Sequence, residues 1–361
     1  MKTPPSPTTA SRENNFDFVR LVAAISVVFS HAFLVAEGTE ANEPLVRLSG
    51  NQAVLGLIGV FVFFAISGYL VTQSYCRSPA AGAFALRRAL RIFPGLIVNT
   101  LICALVLGPL VTTQPLATYF ADSAVGNYIV KTLTLNPVIP SLPGVVFVDN
   151  PVGLIVNGSL WTLRPEAMMY AMIVILGIFR LLRVSVAVVL VGVGIAAVSF
   201  EQYTKPLGDL GGWAWMLGFF AAGMCLYFLR DRLPFNRWSA LFALAALVGF
   251  TVVGHLIMLF PLAGAYLAIY AGRRYDRCLD YSRYVGDLSY GIYIYGWPAE
   301  DAVIYLSGGR ASWWQVFLGA LAIALPLAYL SWHLVEQPAL RWGRRLSRRW
   351  QRTDPGLAVS A

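Results

Sequence analysis

Charge is the first thing scarce in this 361-residue sequence: 12% of residues are Asp, Glu, Lys or Arg, against 58% hydrophobic. A soluble domain carries about 25% charged residues, so a soluble globular chain of this length is excluded. Histidine is nearly absent, with three residues scattered at positions 31, 255 and 333, which argues against a metal site. The four cysteines, Cys76, Cys103, Cys225 and Cys278, show no C-x-x-C spacing and fall in or beside apolar runs. They are expected as buried small hydrophobes, neither redox pairs nor zinc ligands. No Gly-rich nucleotide loop occurs, and no soluble domain is expected on either end.

What fills the sequence instead is a series of long apolar runs with short polar punctuation, the pattern of an all-α polytopic integral membrane protein. Ten helix-length segments follow: 17–36, 53–75, 92–112, 159–181, 184–200, 211–229, 237–252, 255–271, 286–306 and 313–336. The polar, Pro-rich Met1–Asn15 segment precedes the first run and no small-residue cleavage site follows it. That run is read as a retained helix, not a removed signal peptide.

With the N-terminus in the cytoplasm, ten transmembrane helices leave only Arg47, Lys131, Arg164, Lys205 and Arg310 outside, out of 27 Lys and Arg. This is the bias of the positive-inside rule, and it puts both termini in the cytoplasm. Residues 1–15 form a cytoplasmic segment, 16–338 the membrane domain with one long outer loop at 113–158, and 339–361 a basic tail expected on the anionic inner leaflet. The net charge of +9 is then topological and requires no nucleic-acid partner. A loop as long as 113–158 is expected to shape a substrate mouth.

The first run, "FDFVRLVAAISVVFSHAFLV", carries Asp17 and Arg20 near one end and His31 near the other. A charged side chain at the centre of a bilayer costs about 2.5–3.5 kcal/mol or more, so such residues are functional candidates. From Arg20 to His31 an α-helix turns roughly 1100°, about 20° from three full turns, and rises ~16 Å. Asp17 lies within about 40° of the same face by that geometry. All three point one way, with Arg20 at the cytoplasmic edge and His31 toward the outside. An Arg snorkelling to the interface beside a hydrogen-bonded His is the plainer alternative.

Depth matches His31 with Glu166 of "GSLWTLRPEAMMY", ~10 Å below the outer end of the fourth span where His31 is ~8 Å below its own. A carboxylate beside an imidazole fixes its tautomer and stabilises the imidazolium; a simple pair with Arg164 is the other reading. Ser67-Gly68 in "FVFFAISGYLVTQS" lets another helix or a thin ligand approach the backbone. In "ALRRALRIFPG", Arg88 and Arg91 share a helix face, with Arg87 one turn before Arg91. Clustered guanidiniums suit phosphates through forked hydrogen bonds, though a positive-inside loop carries arginines anyway. Glu336, at the inner edge, is placed to pair with Arg20 or the Arg88/Arg91 cluster, or to stand as an interfacial acid. Glu300-Asp301, near the outer edge, either shapes a polar mouth or is solvated.

Arg20 with His31 ten residues beyond, then "FFAISGYL", "RALR" before "IFPG", "SLWTLRPEAMMY", "LSYGIYIY" and a closing "EQP" together resemble the acyltransferase 3 family. The resemblance runs from about Asn15 to Pro338, nearly the whole chain. It implies a multi-pass protein of the bacterial inner membrane that takes acyl groups, most commonly acetyl, from cytoplasmic acyl-coenzyme A (acetyl-CoA). The implied acceptors are hydroxyls of extracytoplasmic or lipid-linked glycans such as lipopolysaccharide O-antigen or exopolysaccharide. Carried over by position, His31 is the essential histidine, Arg20, Arg88 and Arg91 serve the donor, and Glu336 belongs to the closing acidic motif. Many relatives have a second histidine where this chain has Gly296, and no fused outer esterase-like domain is expected here.

The expected chemistry is O-acyl transfer across the membrane. Coenzyme A phosphates dock on Arg20, Arg88 and Arg91, the pantetheine arm passes Ser67-Gly68, and His31, steadied by Glu166, activates the sugar hydroxyl. Asp17 and Glu336 support the arginines. A transient acyl carrier residue is an alternative to direct transfer. A transporter or flippase of lipid-linked sugars would also place charges inside a helical bundle, although no internal repeat points to one.

Overall fold

The computed structural model describes residues 14–136, 141–145, 147, 151–153, 155–203 and 209–353, and every regular element among them is helical. The long helices are α1 (Phe16–Glu37), α2 (Leu55–Arg77), α3 (Ala81–Ile102), α4 (Leu163–Ile178), α5 (Val184–Tyr203), α6 (Asp209–Phe228), α7 (Arg237–Val252), α8 (Leu256–Arg273), α9 (Ser289–Leu306), α10 (Trp313–Ser331) and α11 (Gln337–Thr353). Six stretches are long and apolar enough to cross a membrane: Phe16–Glu37, Leu55–Arg77, Ala81–Val111, Gly158–Ile178, Leu256–Arg273 and Trp313–Ser347. The chain is a multi-pass membrane protein. Three further apolar stretches are shorter, Val184–Ala197, Trp213–Phe228 and Arg237–Val252.

α9 departs most from a lipid-facing helix. Every residue from Ser289 to Asp301 is buried, polar and aromatic side chains included. Protein therefore surrounds it on all sides, and the buried Glu300 and Asp301 overturn the expectation of a solvated outer pair. Pro298 has no N–H to give to Ile294, four residues back. That freed carbonyl accepts from Asn99 Nδ2 at 2.9 Å and from Asn157 Nδ2 at 2.8 Å, so α3 and the segment before α4 are tied to α9.

Proline also explains two irregular turns. α3 continues to Val111 through a widened turn at Cys103–Leu107, two residues before Pro109. α10 passes into α11 through a second at Trp332–Glu336, two residues before Pro338. A proline ring clashes with the carbonyl four residues earlier, and slipping the ladder by one residue relieves the clash. The second turn aims Glu336 into the bundle, where it is 2% exposed.

α2 and α6 meet backbone to backbone. A Cβ on Gly68 would lie 1.9 Å from the Phe220 carbonyl oxygen, and one on Gly223 would lie 2.0 Å from that of Ala65. Helices pack this closely only through small residues. α1, α3, α4 and α9 complete the wall around the interior described below.

Two expectations change. The 113–158 loop contains helices Leu116–Ala121 and Ser123–Leu133, whose Tyr119 and Tyr128 pack on Cys103, Ala104 and Val111. Of the cysteines, Cys103 is buried, whereas Cys76 and Cys278 are exposed because they sit at helix ends facing away from the core. The basic tail, as far as Thr353, is α11; it packs on α3, with Gly343 against Leu90 and Ser347 buried.

Candidate active site

At the Arg20 end of the bundle, two guanidiniums share three carboxylates. Arg20 Nη1 lies 3.1 Å from Asp17 Oδ1 and 3.5 Å from Asp287 Oδ2. Arg91 Nη2 lies 2.6 Å from the same Asp287 oxygen, and its Nη1 is 3.8 Å from Glu336 Oε2. Each acid is held in turn by a serine: Ser282 Oγ donates to Asp17 at 2.8 Å, Ser289 Oγ to Asp287 at 2.5 Å, and Ser331 Oγ to Glu336 at 2.8 Å. Gly286 makes the turn into α9 possible. Its φ is +87°, and a Cβ there would meet the Trp332 indole nitrogen at 2.0 Å.

This lattice joins α1, α3, the start of α9 and the end of α10. Asp287→Asn is expected to destabilise the protein by about 2–4 kcal/mol, because two partly buried cations lose the buried carboxylate they share. Its thermal midpoint in detergent, compared with wild type, measures the effect.

Two cavities adjoin the lattice. The wide one, about 600 Å³, is lined by Asp17, Arg20, Arg77, Arg87, Arg88 and Arg91, with Leu340 and Arg344 of α11 on its far wall. The narrow one, about 100 Å³, runs inward and is lined by Arg20, Ser67, Arg88, Arg91, Glu166, Tyr170, Thr162 and Tyr293. Arg20, Leu70, Arg88 and Arg91 line both, so the two adjoin. Within the narrow cavity Tyr170 Oη donates to Glu166 and receives Ser67 Oγ at 3.4 Å. The Arg88 guanidinium lies over the rings of Phe84 and Tyr170, at 5.8 and 5.7 Å. The inner end is closed by the hydroxyls of Thr162 and Tyr293, 2.6 Å apart.

His31 stands beyond that closure. Its ring packs edge-on against Trp297, centroids 4.7 Å apart. Its Nδ1 is 3.8 Å from Glu300 Oε2, and the Glu300 side chain is fully buried. Neither Glu300 oxygen nor His31 Nδ1 has a hydrogen-bond partner. Along α9, Trp297 and Glu300 follow the cavity-lining Tyr293 by about 6 and 10 Å of helical rise. Trp297 is itself fixed, its indole N–H donating to the Ile155 carbonyl at 3.2 Å while Gly158 lies against its ring.

The sequence-derived candidates thus divide in two. Arg20, Arg88, Arg91, Ser67 and Glu166 come together in the cavities, with Asp17 and Glu336 bracing the arginines. Gly68 does not join them; it faces the Phe220 backbone, so helix packing accounts for it and the proposed passage runs past Ser67 alone. Glu166 neither bonds nor pairs with His31. It is held by Tyr170, and Arg164 lies instead over Trp213 at 5.0 Å.

The carboxylate beside His31 is Glu300, from α9. From the sequence, Glu300 is expected with Asp301 at a polar mouth or in solvent and not beside His31, yet the depth argument used for Glu166 would have paired the two. Glu300 lies six residues before Leu306 and His31 six before Glu37, each about 9 Å from its helix end. His333 Nε2 lies 3.2 Å from the Val285 carbonyl, a structural contact, and His255 precedes α8 away from both cavities. Among the described residues no three His, Cys, Asp or Glu side chains gather as a metal site.

A family profile described as "Acyltransferase domain" matches residues 13–333. The chain belongs to this acyltransferase family. Relatives extend the match over nearly the full length. A protein named "Nodulation protein 10" from Rhizobium leguminosarum bv. viciae is 30% identical, covering 92% of this chain and 95% of the relative. An "O-acetyl transferase" of Shigella phage Sf6 is 27% identical, covering 90% and 96%. No solved structure matches. The site has two parts: an arginine-lined pair of cavities, and beyond Tyr293 a histidine beside a buried acid.

Proposed function

We propose that this acyltransferase moves an acetyl group from cytoplasmic acyl-CoA to a hydroxyl of an extracytoplasmic glycan, working across the bacterial inner membrane with ten spans and both termini inside. The observation that carries the reading is the adjoining pair of cavities. It begins among arginines at one end of the bundle and stops at Tyr293, one helical turn of α9 short of Trp297 and His31. The printed name of the phage relative supports acetyl transfer to oxygen.

In this reading the nucleotide occupies the wide cavity and the thin pantetheine arm the narrow one. Ser67, Tyr170 and Glu166 supply the arm's amides with hydrogen-bond partners there. Parting of the Thr162 and Tyr293 hydroxyls lets the thioester reach His31. A closure of under about 1 Å brings Glu300 within hydrogen-bond reach of His31 Nδ1–H, 3.8 Å away in this structure, and so holds the ring in the tautomer whose Nε2 carries a lone pair. Nε2 takes the proton of the sugar hydroxyl as its oxygen bonds to the thioester carbonyl carbon. The carbon–sulfur bond then breaks, and the departing thiolate recovers that proton, leaving an ester and free coenzyme A. A lipid-linked glycan meets the site from the side of the bilayer nearer His31.

The test is transfer in liposomes. Reconstituted enzyme with acetyl-labelled acetyl-CoA on one face and glycan acceptor on the other is expected to yield labelled glycan and one free thiol per ester. Glycan crossing the bilayer without thiol release would establish transport in place of acylation.

A further inference from the structure

Not all the arginines that line the wide cavity are equally available to a ligand. Arg20 and Arg91 are already engaged, sharing Asp17, Asp287 and Glu336 between them. Arg77, Arg87 and Arg88 line the same cavity. None of these three forms an ion pair with a carboxylate among the described residues. Arg88 goes further: its Nε is buried without a hydrogen-bond partner, although its guanidinium lies near the Phe84 and Tyr170 rings and hydrogen-bonds with Tyr170. A buried, unpartnered guanidinium nitrogen is costly unless an anion arrives to meet it.

Local sequence explains the convergence. Arg77 ends α2 and Arg87 and Arg88 lie in the second turn of α3, the two helices being joined by the short segment 78–80. The helix reversal brings the three cations to one rim of the cavity. Arg91, one turn beyond Arg87 and three residues beyond Arg88, points instead into the acidic lattice. The cavity, about 600 Å³, falls in the ~300–1,000 Å³ range of small-molecule sites. The adjoining space of about 100 Å³ admits only a thin chain.

We infer that Arg77, Arg87 and Arg88 form the phosphate subsite of the donor, while Arg20 and Arg91 are an internal clamp that shapes the cavity floor. The inference rests on the acyl-CoA reading and narrows it. The subsite takes a multiply phosphorylated nucleotide carrying a thin arm. Guanidinium forks on separate phosphates give affinity that falls with salt, since each contact is partly exposed.

The double variant Arg77→Gln/Arg87→Gln tests this, using full-length enzyme in detergent and calorimetry with coenzyme A and, separately, pantetheine, which carries no phosphate. Coenzyme A affinity is expected to fall at least tenfold and to lose much of its salt dependence. Pantetheine affinity and the thermal midpoint are expected to stay at wild-type values, because the arm carries no phosphate and neither arginine braces the lattice. Arg91→Gln serves as the contrast and is expected to lower the midpoint. Coenzyme A affinity within twofold of wild type in the double variant would overturn the subsite and leave the acyl-CoA reading standing. Failure of the wild-type enzyme to bind coenzyme A at all would overturn both.

Discussion

Replacing His31 by alanine is expected to abolish acyl transfer while the protein remains inserted and folded. The imidazole packs on Trp297 and Glu300 and supports no backbone group, and its side chain is 16% exposed. Truncation therefore leaves a small space against a wall that Ile155 and Gly158 hold in place. A positioned general base contributes about 10²–10⁴-fold to rate, and a sugar hydroxyl without one is a poor nucleophile near neutral pH. Labelled acetyl incorporation into glycan reads the loss, and a thermal midpoint near that of wild type shows that it is not unfolding. Glu300→Gln keeps the volume and removes the charge, so a lower kcat is expected with the acyl-CoA KM unchanged, since the donor cavities lie a helical turn or more away. Transfer by His31→Ala within tenfold of wild type would move the base elsewhere, with Glu166 in the narrow cavity the next candidate.

A large effect on stability is also expected from Gly68→Val. Its Cβ would sit 1.9 Å from the Phe220 carbonyl oxygen, well inside contact distance. The collision is with backbone, so no rotamer relieves it. The helices cannot slide apart locally, because Gly223 makes the reciprocal contact with Ala65. Overpacking costs about 1–3 kcal/mol where side chains can shift, and a backbone collision belongs at or above the top of that range. A lowered thermal midpoint and reduced yield of inserted protein are expected. Ser67→Ala, next along the helix but lining the narrow cavity, is expected to keep the midpoint and weaken coenzyme A binding. An unchanged midpoint in Gly68→Val would show that α2 and α6 do not touch there.

The readings of Ser67 and Gly68 show why neighbouring positions parted company in the structure. Ser67 and Gly68 are adjacent in sequence, yet 100° of helix rotation turns one toward the donor cavity and the other toward α6. The pair was recognisable as a close-approach motif. Which of two partners approached was not, because that depends on the helix placed opposite.

Glu166 and Glu300 teach the same lesson. Both are acids in the outward half of their helices by depth, and depth is a single coordinate. The lateral arrangement of helices sets Glu166 beside Tyr170 and Arg88, and Glu300 beside His31. The spacing of Arg20 and His31 was more informative, because both lie on one helix whose periodicity is known in advance. Both in fact reach toward α9, Arg20 at Asp287 and His31 at Glu300.

By itself the sequence determined a helical membrane protein, the face of α1 that carries its charges, and the family to which the chain belongs. Run length, periodicity and motif order are properties of the chain read in one dimension. Only the tertiary structure decided which carboxylate meets the histidine, which arginines are already neutralised and which residues line the narrow cavity. Those facts depend on side chains from α1, α3, α9 and α10 meeting across distances that no local pattern encodes.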